Sequence, residues 1–217
     1  MNTEQARFNM IEQQIRPWEV LDSHVLQLLA LVKREDFVPP QHKALAFVDM
    51  ELPIGEGQVM LAPKVEARLL QDLQVQRHES VLEIGAGSGF MAALLGHRAR
   101  SVLSLELHAP LAAMARANLR RAGLHNVDVR HADGAAGAPQ DGPFDVILLS
   151  GSVARIPQVL LDQLSIGGRL MAIVGTDQAM QAVLVTRSSP SAWQRTAPWD
   201  TVAPALQNFA HASAFVF

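Results

Sequence analysis

Val81-Leu82-Glu83-Ile84-Gly85-Ala86-Gly87-Ser88-Gly89-Phe90 is an apolar run that breaks into three alternating glycines and resumes as a helix-forming segment, Met91 to Leu95. A short apolar run bounded by turn residues reads as a buried strand. Glycine accepts backbone conformations closed to other residues, and its missing side chain lets a ligand approach the N–H groups that a helix start leaves unpaired. The next apolar run, Val102 to Leu105, ends in Glu106, about 20 residues beyond Gly85, where a carboxylate accepts hydrogen bonds from ribose hydroxyls. The nicotinamide and flavin fingerprint places its third glycine three residues after the second. Here that position is Phe90, the third glycine is Gly89, and the strand itself carries a further acid, Glu83.

Further apolar runs follow at Val127 to Arg130, Phe144 to Leu149 and Arg169 to Val174, separated by helical patterns at Pro110 to Arg121 and Pro157 to Leu164. Strands alternating with helices predict βαβ units. The expected class is α/β: a Rossmann-like, doubly wound, mainly parallel seven-stranded sheet with helices on both faces, plus a helical N-terminal subdomain. Val183 to Thr186 and Ala214 to Phe217 are candidates for terminal, antiparallel strands. Upstream, Phe8, Ile11 and Ile15 recur at helical spacing, Asp22-Ser23 caps an amphipathic run from Val25 to Leu29, and Pro39-Pro40 stops it. Leu52 to Gly57 is turn-rich, and Pro63 restarts a helix. Residues 1–75 are thus expected to form a mainly helical cap carrying a substrate loop, and residues 76–217 the ligand-binding Rossmann-like domain.

Composition narrows the function classes. A chain of 217 residues, 49% hydrophobic and 18% charged, supports one substantial core. A net charge of −3 argues against binding dominated by nucleic-acid phosphates. The absence of cysteine excludes disulfides, cysteine-ligated zinc and a thiol nucleophile. The eight histidines form no i, i+4 pair with a supporting acid, so no metal is expected. Ser88 does not lie in a Gly-x-Ser-x-Gly elbow. No stretch approaches 18 uncharged apolar residues, and the first fifteen lack a basic start followed by an apolar run. The expectation is a cytoplasmic chain without membrane or nucleic-acid partners.

The glycine spacing, together with Glu83, Glu106 and the Asp133-Gly134 pair after the third strand, resembles class I S-adenosylmethionine-dependent methyltransferases. That resemblance implies S-adenosyl-L-methionine as cofactor and S-adenosyl-L-homocysteine as product. It implies a turn built from Gly85, Ala86, Gly87 and Gly89, with Glu83 attracting the cofactor's amino group. Glu106 and Leu107 then lie at the ribose, and Asp133 and Gly134 at the adenine amino group. Asp-Gly is also ordinary turn chemistry. Ser150, at the end of the fourth strand, borders the transferred methyl. Asp145 reads as a structural cap.

Over roughly residues 12–209 the chain resembles the protein-L-isoaspartate O-methyltransferases. The resemblance is carried by Arg34-Glu35-Asp36-Phe37-Val38-Pro39, Leu52-Pro53-Ile54-Gly55-Glu56-Gly57-Gln58, Leu124-His125-Asn126-Val127, Pro143-Phe144-Asp145 and Ile156-Pro157 with Gly167-Gly168. It implies methyl transfer to the α-carboxylate of an L-isoaspartyl residue of a protein or peptide. The family usually continues from its Gly-Gln pair as Thr-Ile-Ser-Gln-Pro, the serine lying near the reacting carboxylate. This chain has Gln58-Val59-Met60-Leu61-Ala62-Pro63, so the hydroxyl position is Leu61 and no catalytic residue is assigned. Gln58, Val59, Met60 and Leu61 form the expected substrate loop. Their apolar character leaves two alternatives open: a cofactor-binding module without isoaspartyl activity, or a small-molecule methyltransferase. Thr201 to Leu206 is a loose match to the family segment that closes over the substrate. Arg7, Arg16 and Arg34 read equally as cover for an anionic ligand or as solvated helix faces. Trp18, Trp193 and Trp199 read as core.

Overall fold

The computed structural model describes residues 2–176 and 179–210. Helix α1 (Thr3–Met10) runs on through a π turn, Ile11–Ile15, and buries Met10, Ile11 and Ile15. Helix α2 (Ser23–Leu31) starts at Asp22, whose carboxylate accepts from the His24 amide at 2.8 Å. Strands β1 (Leu52–Gly55) and β2 (Gln58–Met60) pair antiparallel, and α3 (Pro63–Leu73) follows with proline at its first position.

Then come β3 (Ser80–Ile84), α4 (Phe90–Arg98), β4 (Ser101–Glu106), α5 (Ala109–Arg121), β5 (Val127–His131), β6 (Phe144–Val153), the single-turn α6 (Gln158–Leu161), β7 (Leu164–Thr176), β8 (Ala179–Ser189) and β9 (Ala192–Asp200). The seven-stranded sheet has the order β5-β4-β3-β6-β7-β8-β9, parallel from β5 to β7 and antiparallel from there to β9. The chain winds outward from β3 to β5 and then returns to β6 on the other side of β3. The carboxyl ends of β3 and β6 therefore flank the point where the winding reverses, the place where open α/β sheets bind ligands.

Alternation along the strands divides the core. Val81, Val102, Val146, Leu148, Met171 and Ile173 pack with the buried residues of α2 to α5. Leu82, Ile84, Leu103, Leu105, Ile147, Leu149 and Leu170 face the opposite side, with Leu160 and Phe209. The α/β class and the seven strands are as expected, but the helices are unevenly shared. The second face is covered by α6 and irregular segments rather than a full layer.

Five local expectations are corrected, the fifth concerning the tryptophans. The stretch from Leu52 to Gly57 is a hairpin, because Leu52 and Ile54 point inward while Pro53 and Gly55 point out. The third helix pattern ends at Leu161, since Leu164 already begins β7. The seventh strand is β9, of which only Trp199 is buried; an edge strand facing solvent has little apolar alternation to detect. Arg7 and Arg34 are not solvated: they are 5% and 1% exposed. Of the tryptophans only Trp199 is buried; Trp193 is half-buried and Trp18 is exposed. Asp145 has the structural role expected of it, accepting from the Ser80 amide at 2.8 Å and hydroxyl at 3.0 Å. Ala214 to Phe217 lies outside the described residues.

Candidate active site

The glycine turn joins β3 to α4. Gly85, Gly87 and Gly89 have φ of +95°, +51° and +85°, so each takes a conformation that a side chain would strain. The turn is tied to the neighbouring strand: the amides of Gly85 and Ala86 donate to Leu105 O at 2.8 and 3.3 Å. Glu106 completes the tie. Its Oε2 accepts from the Gly87 amide at 2.8 Å and its Oε1 from the His108 amide at 2.9 Å. One carboxylate thus braces two loops at the carboxyl edge of the sheet while lining the cleft between them.

That cleft lies between the two loops and is open to solvent. Of the expected site residues it is lined by Gly85, Gly87, Glu106, Leu107, Asp133, Gly134, Ser150, Gln58 and Val59. Asp133 accepts from the Ala135 amide at 2.9 Å and from Asn208 Nδ2 at 2.8 Å, and a Cβ on Gly134 would collide with the Ile84 side chain. A second, smaller cavity is lined by Val59, Met60 and Leu61 together with Gly85, Ala86, Gly87 and Ser150. The expected substrate loop and the glycine turn therefore face each other across one space.

Two expected residues lie elsewhere. Gly89 lines neither cavity; a Cβ there would come within 3.1 Å of Ala115 Cα, so its role is to let α5 pack against the start of α4. Glu83 is fully buried, its Oε2 accepting from Ser104 Oγ at 2.5 Å and its Oε1 from Ser150 Oγ at 2.9 Å. It stands behind the cleft wall, with Ser150 between it and the open space. Burial pushes its carboxyl up to about 7, against the two hydroxyl bonds that favour the ionised form.

Residues that sequence reasoning missed complete the walls. Leu206 and Phe209 line the cleft from a C-terminal strap. The strap is held across β6 by Ser152 N to Pro204 O and Leu206 N to Ser152 O, both 2.8 Å. The loosely matching Thr201 to Leu206 thus does lead into a cover over the site. His108, Ile54 and Leu111 also line the cleft, and Glu66, Ser88 and Phe90 the smaller cavity. Ile54, Ser88, Phe90 and His108 stand within or beside the motifs read from the sequence, whereas Glu66 and Leu111 carry no such signal.

Arg34 is buried beneath the substrate loop. It pairs with Glu66, donates from Nε to Ala46 O at 3.1 Å and from NH2 to Leu61 O at 2.6 Å, and lies 5.1 Å from the Phe90 ring centroid. Arg7 pairs with Glu35 beside it. Among the described residues no group of three or more metal-binding side chains assembles, and no helix is long and apolar enough to cross a membrane.

Residues 5–202 match the family model of protein-L-isoaspartate (D-aspartate) O-methyltransferases. A protein-L-isoaspartate O-methyltransferase 1 of Syntrophobacter fumaroxidans is 41% identical over 196 residues, covering 90% of this chain and 91% of the relative. A protein-L-isoaspartate O-methyltransferase of Koribacter versatilis is 40% identical over 190 residues, covering 88% and 85%. Among solved structures, a Plasmodium falciparum protein described as a putative protein-L-isoaspartate O-methyltransferase, in complex with S-adenosyl-L-homocysteine, superposes with a TM-score of 0.77 over 95% of this chain and 99% of that one. At 19% identity this likeness bears on the fold. With a model that spans nearly its whole length and relatives aligned almost end to end, the chain belongs to the protein-L-isoaspartate O-methyltransferase family.

Proposed function

We propose that this chain is an S-adenosylmethionine-dependent O-methyltransferase that esterifies the α-carboxylate of L-isoaspartyl residues in proteins or peptides. The observation that carries the reading is the cleft itself, a glycine turn and a braced carboxylate at the winding reversal of the sheet, in a chain of this family.

The residues present fit the cofactor. Gly85 and Gly87 line the cleft with bare backbone, and a Cβ on either would come within 3.1 Å of Leu206 or Ile54 on the facing wall, so a side chain at either position would narrow the cleft. Glu106 would accept from a pair of ribose hydroxyls, Asp133 from an exocyclic amine, and Ile84, Leu107, Leu111 and Phe209 would enclose a flat ring. Ser150, which lines both cavities, would stand at the amino-acid end with Glu83 behind it. When bound, S-adenosylmethionine supplies a methyl group activated by a sulfonium.

On the acceptor side the chain has to align rather than deprotonate. A carboxylate is already ionised near neutral pH, so the reaction needs no general base, and the loss of the loop serine at Leu61 removes an orienting group without removing the nucleophile. We assign the orienting role to the substrate loop and the hairpin behind it, with residues 1–75 as the acceptor-side cap and residues 76–217 as the cofactor-binding part. We also infer a cytoplasmic location. A second reading, a small apolar acceptor, is favoured by Val59, Met60 and Leu61 in the smaller cavity.

Two measurements test the proposal together: calorimetric titration with S-adenosylhomocysteine, and methyl incorporation into an isoaspartyl peptide against its aspartyl isomer. Binding with transfer to the isoaspartyl peptide alone is expected. Binding with transfer to neither peptide would favour the second reading.

A further inference from the structure

The smaller cavity contains a carboxylate to which the sequence reading gave no role. Glu66, in the first turn of α3, is 4% exposed and lines the space between the substrate loop and the glycine turn. Its Oε2 is taken by Arg34, and its Oε1 makes no hydrogen bond among the described residues. Each nitrogen of Arg34 is engaged by the chain itself: Nε by Ala46 O, one terminal nitrogen by Glu66 and the other by Leu61 O. The pair is neutral as a whole, and since Glu66 lines the cavity and Arg34 does not, it offers an incoming ligand one unpartnered carboxyl oxygen.

Glu66 Oε1 and an oxygen of an entering acceptor carboxylate are both hydrogen-bond acceptors, so the two can meet in a water-poor space only if one of them holds a proton; the sulfonium of S-adenosylmethionine balances the acceptor's charge but supplies no hydrogen for this contact. Uptake of one proton from solvent supplies it, leaving one carboxylate and one neutral carboxyl whose O–H donates to the carboxylate. Two carboxyl groups that share a site hold a proton in this way.

We propose that Glu66 takes over the work of the missing loop hydroxyl: it binds the acceptor carboxylate through its free oxygen, with uptake of one proton, and so orients it for methylation. The inference rests on the carboxyl-transfer reading above. Burial already pushes the Glu66 carboxyl up to about 7 despite the Arg34 charge and hydrogen bond, so protonation near neutral pH needs little further help. The charged groups facing it are Arg34, which favours its ionised form, and Glu83 of β3, whose own carboxyl is pushed up in part by Glu66. Arg7 of α1 is paired with Glu35, and α4 contributes the uncharged Phe90 ring. Leu61, at the family's hydroxyl position, and Glu66 lie on either side of Ala62 to Val65 in the chain and both line the same cavity.

The test uses an N-acetylated isoaspartyl peptide without histidine, cysteine or a free amine. For the wild-type protein, KM for this peptide at saturating S-adenosylmethionine should rise about tenfold for each pH unit above neutrality. Calorimetry of peptide binding with S-adenosylhomocysteine bound, run at pH 8 in phosphate and in Tris, should report close to one proton taken up per peptide. Glu66→Gln donates through its amide without a proton, so its KM should be flat with pH and its proton uptake absent. Should that variant not fold, the wild-type calorimetry decides alone. A methylated peptide with pH-independent KM and no proton uptake would overturn the role of Glu66. A protein that binds S-adenosylhomocysteine but neither binds nor methylates the peptide would overturn the carboxyl-transfer reading, and this one with it.

Discussion

Replacing Glu106 with glutamine probes the brace on which the cleft is built. The wild-type carboxylate, 4% exposed, accepts one bond from the Gly87 amide and another from the His108 amide. Glutamine offers one oxygen and one amino group, so one of those amides faces a donor and stays unpaired. A lost charge-assisted bond of this kind costs about 1.5–3 kcal/mol. For a chain of this size, each kcal/mol lowers the melting temperature by about 2–4 °C, so a fall of roughly 3–12 °C is expected. The same amino group would meet a ribose hydroxyl less well. A loss of about 1–3 kcal/mol there weakens S-adenosylhomocysteine binding roughly 5- to 150-fold. Thermal melting without ligand reads the first effect, and calorimetric titration at a temperature where both proteins are folded reads the second. A melting temperature and a Kd both within error of wild type would refute the assignment of Glu106 as brace and ligand group.

Three further substitutions separate the parts of the site. Gly134→Ala drives a methyl into the Ile84 side chain beneath the cleft and should cost about 1–3 kcal/mol by urea denaturation, with S-adenosylhomocysteine affinity reduced as well. Arg34→Met leaves Glu66 buried without its partner and should cost about 3–5 kcal/mol in the same measurement; an unchanged midpoint would mean the pair is dispensable. Glu83 gives a pH dependence whose sign is fixed by its raised pKa: its contribution to stability is complete below 4.5 and is lost as pH rises through about 7. Glu83→Gln should therefore gain on wild type between pH 5 and pH 7.5, by up to roughly 3 kcal/mol, and a difference that does not change with pH would contradict the buried carboxylate.

How much of this was legible in the sequence depended on whether the signal was local. Strands β3, β4, β6 and β7 are buried on both faces, so they appear as continuous apolar runs, and the turn glycines are required by backbone geometry at their own positions. Glu106 was legible for the same reason, because it sits at a fixed distance along one βαβ unit. By contrast, Leu206 and Phe209 reach the cleft through a strap held to β6 near Ser152, a contact across more than fifty residues that leaves no local pattern. Glu66 reads in sequence as one more polar residue on a helix. Only the fold shows that its face of α3 is turned inward against Arg34. Gly89 and Glu83 are the converse case: the motif was right, but the side of the wall on which each residue stands was set by the packing of Ala115 and by Ser150.

The most direct test of methyl transfer to an isoaspartyl carboxylate supplies S-adenosylmethionine labelled in its methyl group, with an isoaspartyl peptide and its aspartyl isomer as acceptors. The expected result is label in the isoaspartyl peptide, released as methanol by mild base because the product is an ester, and none in the aspartyl control. Absence of base-labile label in the isoaspartyl peptide, from protein that binds S-adenosylhomocysteine in the same preparation, would contradict it.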